Sequence, residues 1–237
     1  QVTATSGTIN VAIPDNLPAG INNSITFPTG TIPAGATITN VTVTLNAPAH
    51  TYASDLVFAL KAPNGNVINL DWFISGTGAA GAGLVNTRLS STASNFLSTG
   101  AAPWNGIFRA DLAPINAANP TYPTGFLGTG TYFTSWATLL ASLPSGNDVS
   151  GNWTLGVYDG GPLDVGNLTN WSINVTYTTA PVSAGVFTGA AGTLFTNPAA
   201  TIAYTGGLIN TVYVKPLAIG VSDYVINFTS GNCIASP

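Results

Sequence analysis

The feature that most limits the fold of this chain is its shortage of charged and helix-forming side chains. Its 237 residues include eight acidic side chains, all of them Asp, four basic side chains and no Met. A typical soluble domain is about 25% charged, whereas this chain is 5% charged. Exposed salt bridges stabilise a fold by only ~0–1 kcal/mol each. Apolar burial and backbone hydrogen bonds must therefore hold this fold together.

Residues that favour strands and turns make up most of the remaining sequence. Thr, Val and Ile favour strands, and Asn, Gly and Pro favour turns. Turn signals recur every ~8–15 residues between short alternating segments, a spacing typical of a β-sandwich or a jelly roll. The sequence therefore predicts an all-β protein.

Alternating residues predict strands at 41–45, 56–60, 153–158 and 171–177, and the pattern at 41–45 is that of a half-buried strand. The pair Asn64-Gly65 is a hairpin-turn signal after the second of these segments. Residues 135–143 have the one helical pattern of the chain. Trp153 and Trp171 share a strand face with apolar neighbours, so we expect both in the core rather than on a sugar-binding surface.

Charge and hydropathy exclude two classes of partner. The net charge is −4, and nucleic-acid binding needs clustered basic side chains, whereas the four here are scattered. No apolar run approaches the ~18 residues of a membrane-spanning helix, so we expect no membrane insertion. The chain begins at Gln1, which is expected either of a processed, secreted protein or of a segment of a longer chain. We expect an extracellular or cell-surface location.

Catalytic groups are scarce. His50 is the only histidine and Cys233 the only cysteine, and Cys233 lies in a different module from His50. Nucleophilic catalysis needs a base beside the nucleophile, and a zinc site needs several Cys or His ligands. We therefore expect no enzymatic activity, and we expect His50 to order a turn through hydrogen bonds. Cys233 is expected to stay free or to pair outside this segment.

Calcium is the one metal that the sequence favours, because it prefers oxygen ligands. Asp159 and Asp164 bracket a Gly-rich loop, and Asp55 belongs to a neighbouring motif, so the three carboxylates could converge at one end of the sandwich. The alternative is that each Asp caps a turn by accepting hydrogen bonds from backbone N–H groups.

Four motifs occur in order in the first 177 residues: Ile13-Pro14-Asp15, His50–Leu56 continuing through Leu60–Gly65, Gly151–Asp159, and Asp164–Ile173. Together they resemble the P domain of proprotein convertases and their bacterial relatives. The resemblance implies a jelly-roll β-sandwich that sits beside a protease domain, here without that domain. We accordingly predict a P domain-like jelly roll at 1–178.

The remaining residues, 181–237, are predicted to form a small Ig-like β module with strands at 201–204, 211–214 and 223–229. They resemble Ig-like repeats of surface proteins from Bacteroidetes-type bacteria. Those repeats continue with one more strand, so we expect this module to be incomplete.

Three functions remain open at this point. The first is a non-catalytic structural or adhesive surface protein, a homo-oligomer or a filament built by β-strand addition with a donor such as residues 3–13. The second is an accessory domain within a larger secreted protease, and the third is a carbohydrate-binding module.

Overall fold

The computed structural model describes residues 1–17, 19–33, 35–72, 83–110, 126–127, 132–133, 135–143, 148–179, 185–218 and 223–228. The chain divides into two compact units, Gln1–Thr178 and Thr179–Pro237. The described residues are nearly all strand and loop, which confirms the all-β prediction. Cys233 lies outside the described residues. None of the described helices is long and apolar enough to cross a membrane.

The first unit contains twelve strands and one α-helix among its described residues. They are β1 (Val2–Thr5), β2 (Val11–Ile13), β3 (Ile21–Phe27), β4 (Thr37–Ala47), β5 (Leu56–Lys61), β6 (Val67–Trp72), β7 (Leu84–Ser90), β8 (Trp104–Arg109), β9 (Tyr132–Phe133), α1 (Trp136–Ala141), β10 (Gly151–Asp159), β11 (Gly166–Leu168) and β12 (Asn170–Thr178).

These strands form two five-stranded sheets whose inner faces share one core. The first sheet has the order β1-β12-β4-β7-β8 and the second β3-β10-β5-β6-β9, and β11 pairs with β2 in a small third sheet. Most pairs are antiparallel, but β7 runs parallel to β8 and β6 parallel to β9. The N-terminal strands therefore pair with the last strands of the unit.

The core confirms the predicted faces of these strands except for β5, which is buried on both faces because a second apolar cluster covers its outer side. Trp153 and Trp171 are each 1% exposed and belong to one buried apolar cluster with Val43, Leu45 and Phe58. Successive side chains of a strand point to opposite faces, so this alternation fixes which face of each sheet is buried.

Local signals also match the structure. The hairpin between β5 and β6 turns at Gly65, whose φ of +86° lies in the left-handed region that favours glycine. Ser135 begins α1, and its side chain accepts a hydrogen bond from Thr138 N. The structure thus places a helix within the window 135–143 that the sequence indicated.

The second unit contains β13 (Gly185–Thr188), β14 (Leu194–Phe195), β15 (Tyr213–Val214) and β16 (Val225–Phe228). β13 pairs with β16 and β14 with β15, both antiparallel. The expected strand at 201–204 is not formed, and that segment contributes one bridge, between Ala203 and Phe195. The described part of this unit consists of two small sheets.

Candidate functional site

The structure brings the carboxylates named from the sequence to one end of the first unit. Asp159 ends β10, and Asp55 immediately precedes β5, the neighbour of β10; Asp159 pairs in register with Leu56. Asp164 lies in the loop that follows β10. We use the name His50 cluster for His50, Asp15, Asp55, Asp159 and Asp164.

His50 and Asp159 form the buried centre of the His50 cluster. His50 Nε2 lies 3.2 Å from Asp159 Oδ2, and both side chains are 0% exposed. His50 Nδ1 accepts a hydrogen bond from Tyr52 N, so the neutral ring carries its proton on Nε2, towards the carboxylate. Neither Nε2 nor Oδ2 makes a regular hydrogen bond within the described part of the chain. His50 thus orders the turn at Tyr52, in agreement with the sequence.

The carboxylates of Asp15 and Asp164 form hydrogen bonds that hold loops together. Asp15 accepts hydrogen bonds from Leu163 N at 3.1 Å and Asp164 N at 3.4 Å. Thr51 Oγ1 donates to Asp164 Oδ1 at 3.0 Å and accepts from Val165 N. The sequence pattern did not group Asp15 with the other carboxylates, because only the folded chain brings it beside the loop after β10.

Asp159 also caps its own loop. Its Oδ1 accepts a hydrogen bond from Gly161 N at 3.0 Å. Together with the contacts of Asp15 and Asp164, this is the turn-capping role that the sequence offered as the alternative to calcium. Among the described residues, no three side chains of His, Cys, Asp or Glu are grouped to hold a metal ion. Calcium binding by Asp55, Asp159 and Asp164 stays a prediction from the sequence.

Two glycines let the loop after β10 approach the His50 cluster. A Cβ built on Gly161 would lie 1.7 Å from Asp55 Oδ2, and one built on Gly166 would lie 2.4 Å from His50 Cα. The first clash involves the end of a side chain, which can move. The second involves backbone, which cannot move without displacing the turn.

We therefore expect Gly166→Ala to lower the free energy of unfolding by about 2–3 kcal/mol, the cost of overpacking a tight contact. Urea unfolding followed by circular dichroism measures the change. Gly30→Ala is the matched control, because a Cβ there meets nothing within 4 Å and only the φ of +75° is strained. An equal loss in the two variants would contradict the proposed crowding at His50.

Burial sets the charge of the Asp159 carboxyl. The pKa of Asp159 is raised from 3.8 to about 6, chiefly by burial and to a smaller extent by the negative charges of Asp55, Asp164 and Asp15. The hydrogen bond from Gly161 opposes this shift. Burial likewise raises the pKa of Asp55, with a contribution from Asp164.

Burial has the opposite effect on the charge of His50. It lowers the pKa of the imidazole below 6.5, and the nearby charge of Asp164 opposes this shift. At neutral pH the pair therefore consists of a neutral His50 and an ionised Asp159. Because both side chains are sealed from solvent, a bound substrate could not reach either one.

The described tryptophans offer no exposed ring for stacking on a sugar. Trp104, Trp136, Trp153 and Trp171 are at most 5% exposed. A separate surface cavity of about 480 Å³ is lined by Asn40, Ser91, Arg109, Trp136 and their neighbours. Its described lining contains no His, Cys or carboxylate.

No protein-family model and no curated protein matches the chain. Among solved structures it is similar to the serine protease of Aeromonas sobria in complex with the chaperone ORF2, with 14% identity over 76% of this chain and 28% of that chain, at a TM-score of 0.39. A second structure of the serine protease of Aeromonas sobria is similar over 74% of this chain and 27% of its own, at 14% identity and a TM-score of 0.37. The chain thus spans just over a quarter of the length of these proteases. Likenesses at this level do not establish a common function.

Proposed function

We propose that this chain is a non-catalytic structural protein of the cell surface or the extracellular space, and a subunit of an assembly held together through its C-terminal unit. The observation that carries the proposal is the lack of a core in the described part of that unit. Leu194 is the only large apolar side chain buried there. Several others are at least 37% exposed, namely Ile202, Leu208, Tyr213, Val214, Leu217, Val225 and Ile226.

The arrangement of these side chains supports docking rather than random exposure. Val225 and Ile226 are consecutive in β16 and are 54% and 45% exposed. Since successive side chains of a strand point to opposite faces, neither face of the β13–β16 sheet is fully covered. Tyr213 and Val214 repeat this pattern in β15. Exposed apolar surface of this kind is typical of an interaction site.

The scarcity of charge favours a second copy as the partner. Lys215 and Asp223 are the only charged residues after Thr178. Packing two such surfaces together leaves few charges to desolvate and little like-charge repulsion. An extended segment that adds to a sheet edge would supply backbone hydrogen bonds as well as apolar cover.

The residues first suggested as a donor are already part of the first unit. β1 pairs with β12 over Val2–Thr5, and β2 pairs with β11 over Val11–Ile13. A donor from residues 3–13 would have to leave these sheets. We therefore propose assembly between folded copies.

The absence of catalysis is part of the proposal, and the burial of the His50–Asp159 pair supports it. The P domain-like character of the first unit likewise stays a proposal, supported by the four motifs named above. A place beside other domains of a larger secreted protein is compatible with the assembly.

We expect the 24.0 kDa chain to show a mean mass that rises with protein concentration in sedimentation equilibrium. Val225→Lys should lower that mass towards the monomer, because it places a charge in the apolar contact. Leu163→Lys is the matched control, since Leu163 is 91% exposed on the first unit. A wild-type chain that stays monomeric at its highest soluble concentration would refute the proposed assembly.

A further inference from the structure

Strand β3 forms an open edge of the second sheet of the first unit. Its seven residues, Ile21–Phe27, pair with β10 on one side. No described residue bonds the backbone N–H and C=O groups that face away from β10. Such a row of unpaired groups is a ready template for another strand.

The usual protections of an edge are absent from β3. Proteins guard edges with charged side chains, with proline or with bulges that bend the strand away. β3 contains no charged residue and no proline, and its pairing with β10 runs from Ile21 to Phe27 without a register shift.

The other described edges of the two sheets are shorter or covered. β1 has only four residues. The edge of β8 is covered at Arg109, whose N–H donates to Asn95 O at 2.6 Å. β9 has only two residues. β3 is therefore the longest open edge within the described part of the first unit.

Two of the three exposed side chains of β3 are held away from its edge. Ser24 Oγ lies 2.7 Å from Thr154 Oγ1, and Thr26 Oγ1 donates to Asn152 Oδ1 at 2.6 Å. Both contacts draw the side chains over β10, on the inner side of β3. An incoming strand would meet backbone groups rather than folded-over side chains.

We propose that the β3 edge of one copy receives a strand from the C-terminal unit of a second copy. This inference rests on the proposed assembly and names its receiving surface. The chain carries both surfaces that this contact needs. One is the open, uncharged edge of β3, and the other is the C-terminal unit, where Val225 and Ile226 of the uncharged strand β16 are exposed. When the two surfaces pair, the backbone N–H and C=O groups of β3 that face away from β10 form hydrogen bonds, and no charged side chain enters the contact.

The contact is heterologous, because it joins two different surfaces of the same chain. In an open assembly, a heterologous contact leaves one free β3 edge at one end and one free C-terminal unit at the other. Such contacts produce closed rings when the rotation closes and open filaments when it does not.

The test uses full-length chains and two blocking substitutions. Ser24→Lys places a charge beside the β3 edge, and Ile226→Lys places one in the C-terminal unit. Thr42→Lys is the matched control, because Thr42 lies on the outer face of β4, a central strand. Circular dichroism and urea midpoints verify folding, and Thr26→Lys replaces Ser24→Lys if that variant is unfolded.

We expect Ser24→Lys alone and Ile226→Lys alone to sediment as monomers where the wild-type chain and Thr42→Lys form larger species. An equimolar mixture of the two blocked variants should form dimers and nothing larger, since one intact edge and one intact C-terminal unit remain between them. Wild-type-like assembly of Ser24→Lys, or a mixture that stays monomeric, would overturn the β3 contact while the wild-type result still supports assembly. A monomeric wild-type chain would instead refute the proposed function itself.

Discussion

Replacing Trp171 by Ala is expected to lower the free energy of unfolding of the first unit by about 3–5 kcal/mol, the range for deleting a buried Trp side chain. Trp171 lies in β12 of the first sheet and is 1% exposed. Its Nε1 donates to Asn23 Oδ1 in β3 of the second sheet at 2.6 Å. The substitution therefore removes apolar packing and a hydrogen bond between the sheets.

Trp171→Phe separates these two contributions. Phe keeps an aromatic ring in the core but leaves Asn23 Oδ1 without its donor. Because Asn23 is only half-buried, we expect a cost near the lower end of the ~1–3 kcal/mol range for a buried group. Urea unfolding monitored by circular dichroism gives both values. A loss below about 1 kcal/mol for Trp171→Ala would contradict the assignment of Trp171 to the shared core.

The second large effect is on the pH dependence of stability, through Asp159. A carboxyl with a raised pKa in the folded state binds more protons than in the unfolded chain, so the free energy of unfolding falls as pH rises through that range. For Asp159 the window runs from 3.8 to about 6. A shift of that size corresponds to roughly 3 kcal/mol of stability lost between pH 4 and pH 7.

Asp159→Asn should abolish this loss. We expect the free energy of unfolding of the variant, relative to wild type, to rise by roughly 3 kcal/mol from pH 4 to pH 7. The quantity to compare is how steeply the free energy of unfolding changes with pH in the two proteins. Its absolute value is less informative, because the amide also changes the contacts with His50 and Gly161 at every pH. Parallel curves for the two proteins would show that Asp159 ionises as it does in the unfolded chain.

His50→Gln is the control with the opposite sign. The pKa of His50 is lowered in the folded state, so the unfolded chain binds more protons below pH 6.5 and the wild-type protein gains stability as pH rises to that value. His50→Gln should therefore remove a rise in the free energy of unfolding with pH, whereas Asp159→Asn should remove a fall. The two effects partly cancel in the wild-type protein.

Much of the first unit could be predicted from local sequence, because its strands alternate cleanly. The segments around Val43, Trp153 and Trp171 became strands with the expected faces buried, whereas the strand around Phe58 is buried on both faces. The dipeptide Asn64-Gly65 predicted the turn at Gly65, and the apolar spacing within residues 135–143 predicted α1. These features depend on residues within a few positions of one another.

Strand pairing could not be predicted in this way. β1 pairs with β12 and β3 with β10, so the partners of the N-terminal strands lie more than 120 residues away. Alternation fixes which face of a strand is buried, but not which strand lies beside it. The open edge at β3 is a property of this pairing and was not visible in the sequence.

The His50 cluster was predicted in part. Asp55, Asp159 and Asp164 meet at one end of the first unit, but Asp15 joins them only because β2 pairs with β11 beside the loop. Local sequence also gave no sign that His50 and Asp159 would be fully sealed from solvent, which depends on the close approach of Gly166.

The pairing of β1 with β12 determines how the first unit responds to mechanical tension. Val2 lies opposite Val175, and the two strands are antiparallel, so the polypeptide enters and leaves the sandwich at the same end. The hydrogen bonds between antiparallel strands are perpendicular to them. A pulling force applied at Val2 and Thr178 would therefore load these bonds one at a time and peel β1 away from its neighbour.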